Sequence, residues 1–323
     1  MKAVITDHPF PSLDLAKNVF NQNGIEMEAL QTKDAETIIS HTREADGIMV
    51  GMARIDKRVI GSLEQCKIIV RMGVGFDNVD IAAATSRGIV VSNTPDFCTE
   101  EVSDHTMALL LMIARRIIQG QKGVREGKWG PTAIEFTSFF RIRGQTLGLF
   151  GFGRISRLVA EKARGFKLNC IAFDPYVKKE EMSQYGVEKV EMKELLRRSD
   201  YISLHSPLTK ETENAFGFEE FRAMKKTGWV INTSRGSVIR EDDLITALDQ
   251  KLIAGAALDV LAKEPPDENH PLIHRENVIV TPHMASWTWD SRDDLQVKGA
   301  EEIVRVLKGE KPKNVVNPEV LSK

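Results

Sequence analysis

Three segments carry residue types able to hold an acid and move a proton. They are Val230-Ile-Asn-Thr-Ser-Arg235-Gly236-Ser, Ala257-Leu-Asp259-Val followed by Lys263-Glu264-Pro-Pro, and Val280-Thr-Pro-His283-Met-Ala-Ser. A guanidinium offers two parallel donors to a carboxylate, so Arg235 suits the grip on a substrate acid. A carboxylate beside a histidine orients the ring and favours its protonated form, which makes a tunable acid–base near neutral pH. Arg235 to hold, with Glu264 and His283 to move a proton, is the set that reduction of a 2-oxo acid needs. Singly, each has an ordinary explanation: a surface ion pair, a loop carboxylate, a cap after Pro282. Their placement after successive strands sets them apart, because open α/β sheets bind ligands at strand ends.

A second constellation is Leu147-Gly-Leu-Phe-Gly151-Phe-Gly153-Arg-Ile-Ser156, where a strand turns into a helix. The first glycine serves a tight turn. The second lets backbone approach a pyrophosphate resting on the helix N-terminus. Ser156 stands where a third glycine is usual. Asp174 ends the next apolar run, about 20 residues on, where a carboxylate accepts from ribose hydroxyls and repels a 2′-phosphate. That favours NAD over NADP, tempered by Lys178 and Lys179 nearby. A plain turn with a capping aspartate is the competing explanation, and methyltransferases also use glycine-rich turns.

The elements that must position these groups alternate short apolar runs with amphipathic stretches, the pattern of βαβ units and parallel sheets. Strands are expected at Ala3–Thr6, Gly47–Val50, Ile68–Arg71 and Ile89–Ser92, with a helix over Leu13–Asn21. A long helix opens at Thr99-Glu-Glu, where acids suit the helix dipole, and runs through Arg116. The stretch Gly120–Gly144 has no clean period and reads as an excursion or oligomer arm. A second α/β unit follows, with strands at Leu147–Phe150, Asn169–Phe173, Tyr201–Leu204, Trp229–Asn232, Ala254–Leu258 and Val278–Val280. Its helices include Arg154–Arg164, and Asp293–Lys308 closes the chain.

The chain has 323 residues, with 44 Lys and Arg against 46 Asp and Glu, a net charge of −2. That balance argues against nucleic-acid or membrane-surface binding by bulk charge. Cys66, Cys98 and Cys170 lie far apart and form no disulfide framework or metal cluster, so a cytoplasmic setting and no metal are expected. The apolar run Met107–Ala114 falls far short of the roughly 20 residues that span a bilayer. The amino-terminal sequence shows no signal peptide.

Further motifs extend the pattern along almost the whole chain: Arg71-Met-Gly-Val-Gly-Phe-Asp-Asn-Val-Asp, Asn93-Thr-Pro, Glu101-Val-Ser-Asp-His-Thr106 and His205-Ser-Pro-Leu-Thr. With the segments above, they make the sequence resemble the D-isomer-specific 2-hydroxyacid dehydrogenase family. The resemblance implies an α/β protein of two doubly wound parallel-sheet domains. A Rossmann NAD-binding domain, 99–289, would be inserted into a flavodoxin-like catalytic domain formed by 1–98 and 290–323. It implies NAD-dependent interconversion of a 2-oxo acid and its D-2-hydroxy acid. In that scheme Arg235 binds the substrate carboxylate, His283 is the acid–base and Glu264 pairs with it. The amides of Val74 and Gly75 also hold the carboxylate. Thr106, Gly151, Gly153, Arg154, Ile155, Asp174, Ser206, Pro207, Thr212, Thr233, Ser234, Arg235, Asp259 and His283 fall at cofactor-contacting positions, Asp259 meeting the nicotinamide carboxamide. A homodimer acting on a small-molecule acid is implied.

Glu264 argues against the similar formate dehydrogenase branch, which has glutamine there. Phosphoglycerate dehydrogenases tend to carry an arginine after the third strand. Here Gly51 and Met52 suggest a roomier, less charged wall, while Arg54 keeps a phosphorylated substrate in play. Trp287 serves either as pocket wall or as a hydrophobic anchor. The C-terminal-binding-protein branch, with its NADH-sensing corepressors, is the alternative to a metabolic enzyme.

Overall fold

The computed structural model describes residues 1–133 and 140–322. The chain divides into two units, Met1–Cys98 with Trp287–Lys323, and Thr99–Ser286.

The first unit is built on five parallel strands: β1 (Lys2–Ile5), β2 (Glu26–Ala29), β3 (Gly47–Val50), β4 (Ile68–Arg71) and β5 (Val90–Asn93), in the order β2-β1-β3-β4-β5. This is the flavodoxin-like order. Every residue of β3 and β4 is buried, as expected where crossover segments cover both faces of a parallel sheet. One cover is the helix Trp289–Leu307, which begins earlier than the apolar pattern suggested. Thr288 caps it, its hydroxyl accepting from the Ser291 amide at 3.0 Å. Gly299 brings the helix close to the sheet, for a Cβ there would stand 2.7 Å from Met49 Cε. The buried Glu302 carboxylate accepts from Ser92 Oγ at 2.9 Å and from the Lys313 amide at 2.7 Å, tying this segment to β5. Strand β2 was not anticipated: its Glu-Met-Glu-Ala is polar and lies at the sheet edge.

The second unit has seven parallel strands: β6 (Thr146–Phe150), β7 (Asn169–Phe173), β8 (Val187–Lys189), β9 (Tyr201–Leu204), β10 (Trp229–Asn232), β11 (Gly255–Leu258) and β12 (Val278–Val280). Their order, β12-β11-β10-β9-β6-β7-β8, is the Rossmann order with one strand added beyond the sixth. Apolar layers cover both faces, one including Phe216, Phe221 and Leu244, the other Leu109, Leu110, Val159 and Ala163. The helix Thr99–Ala114 ends sooner than expected, at a left-handed Arg116 with φ 52°. A second helix, Ile117–Arg125, then occupies the start of the stretch read as an excursion. The rest of that reading falls partly on 134–139, outside the described residues. Among the described residues no helix is long and apolar enough to cross a membrane.

Candidate active site

Arg235 follows β10, Glu264 follows β11 and His283 follows β12. These three adjacent parallel strands deliver all three side chains to one edge of the second sheet.

Each is held by local chemistry. Asn232, fully buried at the end of β10, accepts from the Ser234 amide at 3.0 Å and Ser234 Oγ at 2.8 Å, and its Nδ2 donates to the Arg235 carbonyl at 2.8 Å. The arginine loop is thereby fixed in shape. Arg235 Nη1 donates to the Ser234 carbonyl at 2.8 Å. Gly236 lies against the Leu261–Ala262 backbone with no room for a Cβ, which draws the arginine loop toward the segment bearing Glu264.

Glu264 Oε1 accepts from the Leu261 amide at 3.0 Å, and Oε2 meets His283 Nδ1 at 2.6 Å. Burial raises the Glu264 carboxyl, but the hydrogen bond and charge of His283, the Leu261 amide and the charge of Arg235 outweigh it. The net result is a carboxyl below its ordinary value. Both side chains of the pair remain about a third exposed, 38% for His283 and 30% for Glu264, so they are open to a ligand.

His283 sits in the left-handed region, φ 52°. A non-glycine residue there carries roughly 1–3 kcal/mol of strain and persists only where its surroundings over-determine it. Asp259 provides that constraint. It is 2% exposed; Oδ1 accepts from Thr281 Oγ1 at 2.5 Å and the Met284 amide at 2.9 Å, and Oδ2 accepts from the Ala285 amide at 2.9 Å. Its carbonyl takes the His283 amide at 2.8 Å. The family resemblance assigns Asp259 to the cofactor; in this structure its carboxylate is engaged by the turn that presents His283. His105 joins the same network, Nε2 lying 3.0 Å from Thr281 Oγ1. Asn232, Thr281 and His105 were not singled out in the sequence.

The glycine turn lies after β6. Gly151 has φ 89°, and a Cβ there would stand 3.0 Å from the His205 carbonyl carbon and the Ser206 nitrogen, so only glycine fits without strain. Gly153 caps the helix Arg154–Gly165, and nothing lies within 4 Å of where its Cβ would be. Open space thus faces the helix N-terminus, with Arg154 exposed and Ile155 half-buried at its start. Asp174 follows β7 and is partly exposed. Its Oδ2 accepts from the Phe152 amide at 2.8 Å, and Oδ1 accepts from those of Tyr176 and Val177 at 2.9 and 3.2 Å. The Ser206 hydroxyl is buried without a protein partner. Desolvation pushes His205 down to about 4, so this ring beneath the turn is neutral at physiological pH.

The remaining expected cofactor residues are placed differently. Thr106 is fully buried; its hydroxyl donates to the Val102 carbonyl at 2.8 Å and meets Thr233 Oγ1 at 3.0 Å. Thr212 braces its own loop by donating to the Pro207 carbonyl at 2.6 Å. Val74 and Gly75 belong to the first unit, after β4. Their amides donate to no protein group among the described residues, while Asn93 Nδ2 holds the Val74 carbonyl at 2.6 Å. Trp287 is half-exposed, with the Arg292 guanidinium 5.1 Å above its ring. Among the described residues no group of three or more His, Cys, Asp or Glu side chains could hold a metal ion.

The cradle fits a dinucleotide: open space at a helix N-terminus, a glycine that admits no side chain, an unpartnered buried hydroxyl and a carboxylate after the second strand. Comparison with known proteins agrees. Residues 107–285 match the family model described as D-isomer specific 2-hydroxyacid dehydrogenase, NAD binding domain. The chain is 39% identical over 290 residues to a glyoxylate reductase of Thermococcus litoralis, covering 88% of this chain and 87% of that one. It is 38% identical over 320 residues to a D-3-phosphoglycerate dehydrogenase of Archaeoglobus fulgidus, covering 98% of this chain and only 59% of that longer protein. A crystal structure of a D-lactate dehydrogenase from Aquifex aeolicus, complexed with NAD and lactic acid, superposes with a TM-score of 0.88 at 26% identity, over 98% of this chain and 99% of that one. The chain belongs to the D-isomer-specific 2-hydroxyacid dehydrogenase family of NAD-dependent oxidoreductases.

Proposed function

We propose that Arg235, Glu264 and His283 perform the interconversion of a small 2-oxo acid and its D-2-hydroxy acid. The observation that carries this is the 2.6 Å contact between His283 Nδ1 and Glu264 Oε2, beside an arginine whose charge acts on the same carboxylate. With Nδ1 held by Glu264, Nε2 of His283 is the atom that gives a proton to the carbonyl oxygen during reduction and takes it back from the hydroxyl during oxidation. Arg235 grips the substrate carboxylate and fixes the keto carbon's position. NADH, when bound, supplies the hydride that reduction requires. Gly151, Gly153, Arg154 and Ile155 cradle its pyrophosphate, Asp174 takes the ribose hydroxyls and disfavours a 2′-phosphate, and Ser206, Pro207, Thr212, Thr233 and Ser234 line the remainder. Thr106 and Asp259 support this surface from beneath.

Unit Thr99–Ser286 is then the nucleotide domain and the other unit the substrate domain. The unengaged amides of Val74 and Gly75 suit a substrate carboxylate. Exposed Ile117, Ile118, Val124 and Trp129 support a homodimer through this segment. The three buried cysteines form no disulfide, which supports a reducing, cytoplasmic setting.

The test follows NADH absorbance with glyoxylate, hydroxypyruvate, pyruvate and phosphohydroxypyruvate. Turnover of at least one is expected. His283→Ala should lower it by about a hundredfold or more, the lower range of general acid–base catalysis. Near-normal turnover in that variant refutes the assignment. Tight NADH binding without turnover across the panel points instead to a nucleotide-sensing scaffold.

A further inference from the structure

One carboxylate outside the proposed catalytic set ties together the segments that bear it. Glu241 opens the helix Glu241–Asp249, shortly after Arg235. Its side chain is 16% exposed, and both of its oxygens are engaged. Oε1 accepts from the Ala262 amide at 2.6 Å, and Oε2 faces His270 Nε2 at 3.3 Å. Ala262 stands between β11 and Glu264, and His270 between Glu264 and β12, which leads to His283. Leu244, Ala247 and Leu248 bury the helix in the apolar layer that also holds Leu261 and Leu272, so Glu241 projects from a rigid base.

The ring opposite Glu241 has a defined tautomer. The Leu272 amide donates to His270 Nδ1 at 3.4 Å, so Nδ1 is the acceptor and Nε2 carries the proton that meets Glu241. The His270 backbone is held as well, its amide donating to the Asp267 carbonyl at 2.9 Å. The Ala262 amide belongs to the turn that shapes Glu264. In that turn the Leu261 amide donates to Glu264 Oε1 at 3.0 Å. Gly236 presses on the same stretch from the arginine loop, where a Cβ would stand 2.0 Å from the Leu261 carbonyl carbon and 2.3 Å from the Ala262 nitrogen. The Leu261–Ala262 peptide is therefore fixed by Gly236 against it and by Glu241 on its N–H, and the residue at its head orients Glu264. Ala262 is exposed, so water can take its amide if Glu241 is lost. The hydrogen bond is then replaced, but the direction of the turn is not.

We propose that Glu241 is a positioning residue of the reaction: by holding the Ala262 amide against the helix that follows Arg235, it fixes the turn that sets Glu264 on His283. The inference rests on the reading above, in which Glu264 and His283 form the acid–base pair. Glu241 touches neither substrate nor cofactor in this scheme. Its effect runs through the turn to Glu264 Oε2 and the 2.6 Å contact with His283 Nδ1. Misplacing a reacting group by about 1 Å costs up to roughly a hundredfold in rate, and a turn loosened at one of its two anchors falls short of that. The grip of Arg235 is untouched, because Asn232 holds its loop independently.

The test measures kcat, KM and NADH affinity for the wild type, Glu241→Ala and Glu241→Gln, with whichever of the four keto acids the wild type turns over fastest. Glu241→Ala should lower kcat by about tenfold, with KM and NADH affinity little changed. Glu241→Gln keeps an oxygen for the Ala262 amide and should recover most of that loss. In a Glu264→Ala background no carboxylate is left to place, so adding Glu241→Ala should cost far less than it does in the wild type. Circular dichroism verifies that each variant is folded. Should the alanine variant not fold, Glu241→Asp takes its place, because it withdraws the carboxylate from Ala262 while keeping its charge at the helix N-terminus. An unchanged kcat in the folded variant overturns the proposal. So does a loss that appears in KM or NADH affinity instead, a glutamine variant as slow as the alanine one, or an equal cost in both backgrounds. A wild type that turns over none of the four keto acids would instead overturn the functional reading itself, and this proposal with it.

Discussion

Replacing Glu264 with glutamine keeps the shape and the acceptor oxygen but removes the charge facing His283. Charges about 4 Å apart interact by about 1 kcal/mol at the dielectric of water and about 4 at an effective value of 20. Both side chains here are about a third exposed, so screening places the effect near the lower figure. Roughly 1 kcal/mol is about a fivefold effect, at a factor of ten per about 1.36 kcal/mol. In Glu264→Gln, kcat/KM for keto-acid reduction should thus fall by at least about fivefold, because a neutral amide holds the His283 ring less firmly than the carboxylate does. The same residue sets an acid-side effect on stability. Its carboxyl lies below the ordinary 4.5 in the folded chain, so its contribution is present above about pH 4.5 and is lost as pH falls through the folded value. Glutamine has no such dependence, and melting temperatures from pH 3.5 to 7 would show the difference. The assay is kcat/KM for both enzymes with saturating NADH. An unchanged kcat/KM would refute the view that Glu264 orients and holds His283.

Asp259→Asn turns an amide NH2 toward at least one of the donors it now satisfies. A buried unsatisfied donor costs about 1–3 kcal/mol, so calorimetry should register a melting point lower by several degrees, and kcat should fall more than NADH affinity as the His283 turn loosens. Unchanged kcat would dissociate the turn from the chemistry. Gly151→Ala forces a side chain into a backbone at φ 89°, a strain of about 1–2 kcal/mol. Fluorescence titration should show NADH affinity weakened tenfold or more, and wild-type affinity would contradict the cradle. Burial pushes the Cys66 thiol up to about 12 and that of Cys170 up to about 11. A thiol reagent at pH 8 should therefore leave both unmodified in native protein and label them in urea, and rapid native labelling of either would be the contrary result.

Much of this architecture is legible from periodicity because its central strands are largely apolar and buried. Gly47–Val50, Asn169–Phe173, Tyr201–Leu204 and Trp229–Asn232 coincide with the expected runs. The strands that escape are edge strands, β2 and β8, whose Glu-Met-Glu-Ala and Val-Glu-Lys are interrupted by charged residues and so lack an apolar run. The start of the final helix is missed because Thr288, rather than an apolar residue, defines it. Arg235, Glu264 and His283 stand out because each follows a recognisable strand. Their supports do not: Asn232 reads as a strand end, and the partners Glu241–Ala262 and His105–Thr281 are joined only by the fold. Hydrogen bonds across such separations leave no local pattern in a sequence.

The last segment supplies Ala300 and Ile303, both fully buried, to the interior of the first unit. During synthesis on the ribosome, the opening sheet is therefore made long before its covering helix and waits with one apolar face bare. Among the described residues, the interposed unit has the seven strands of its sheet by Val280 and can close first. A nascent chain with Val280 just clear of the ribosome would present one finished nucleotide module and one sheet still lacking its covering helix.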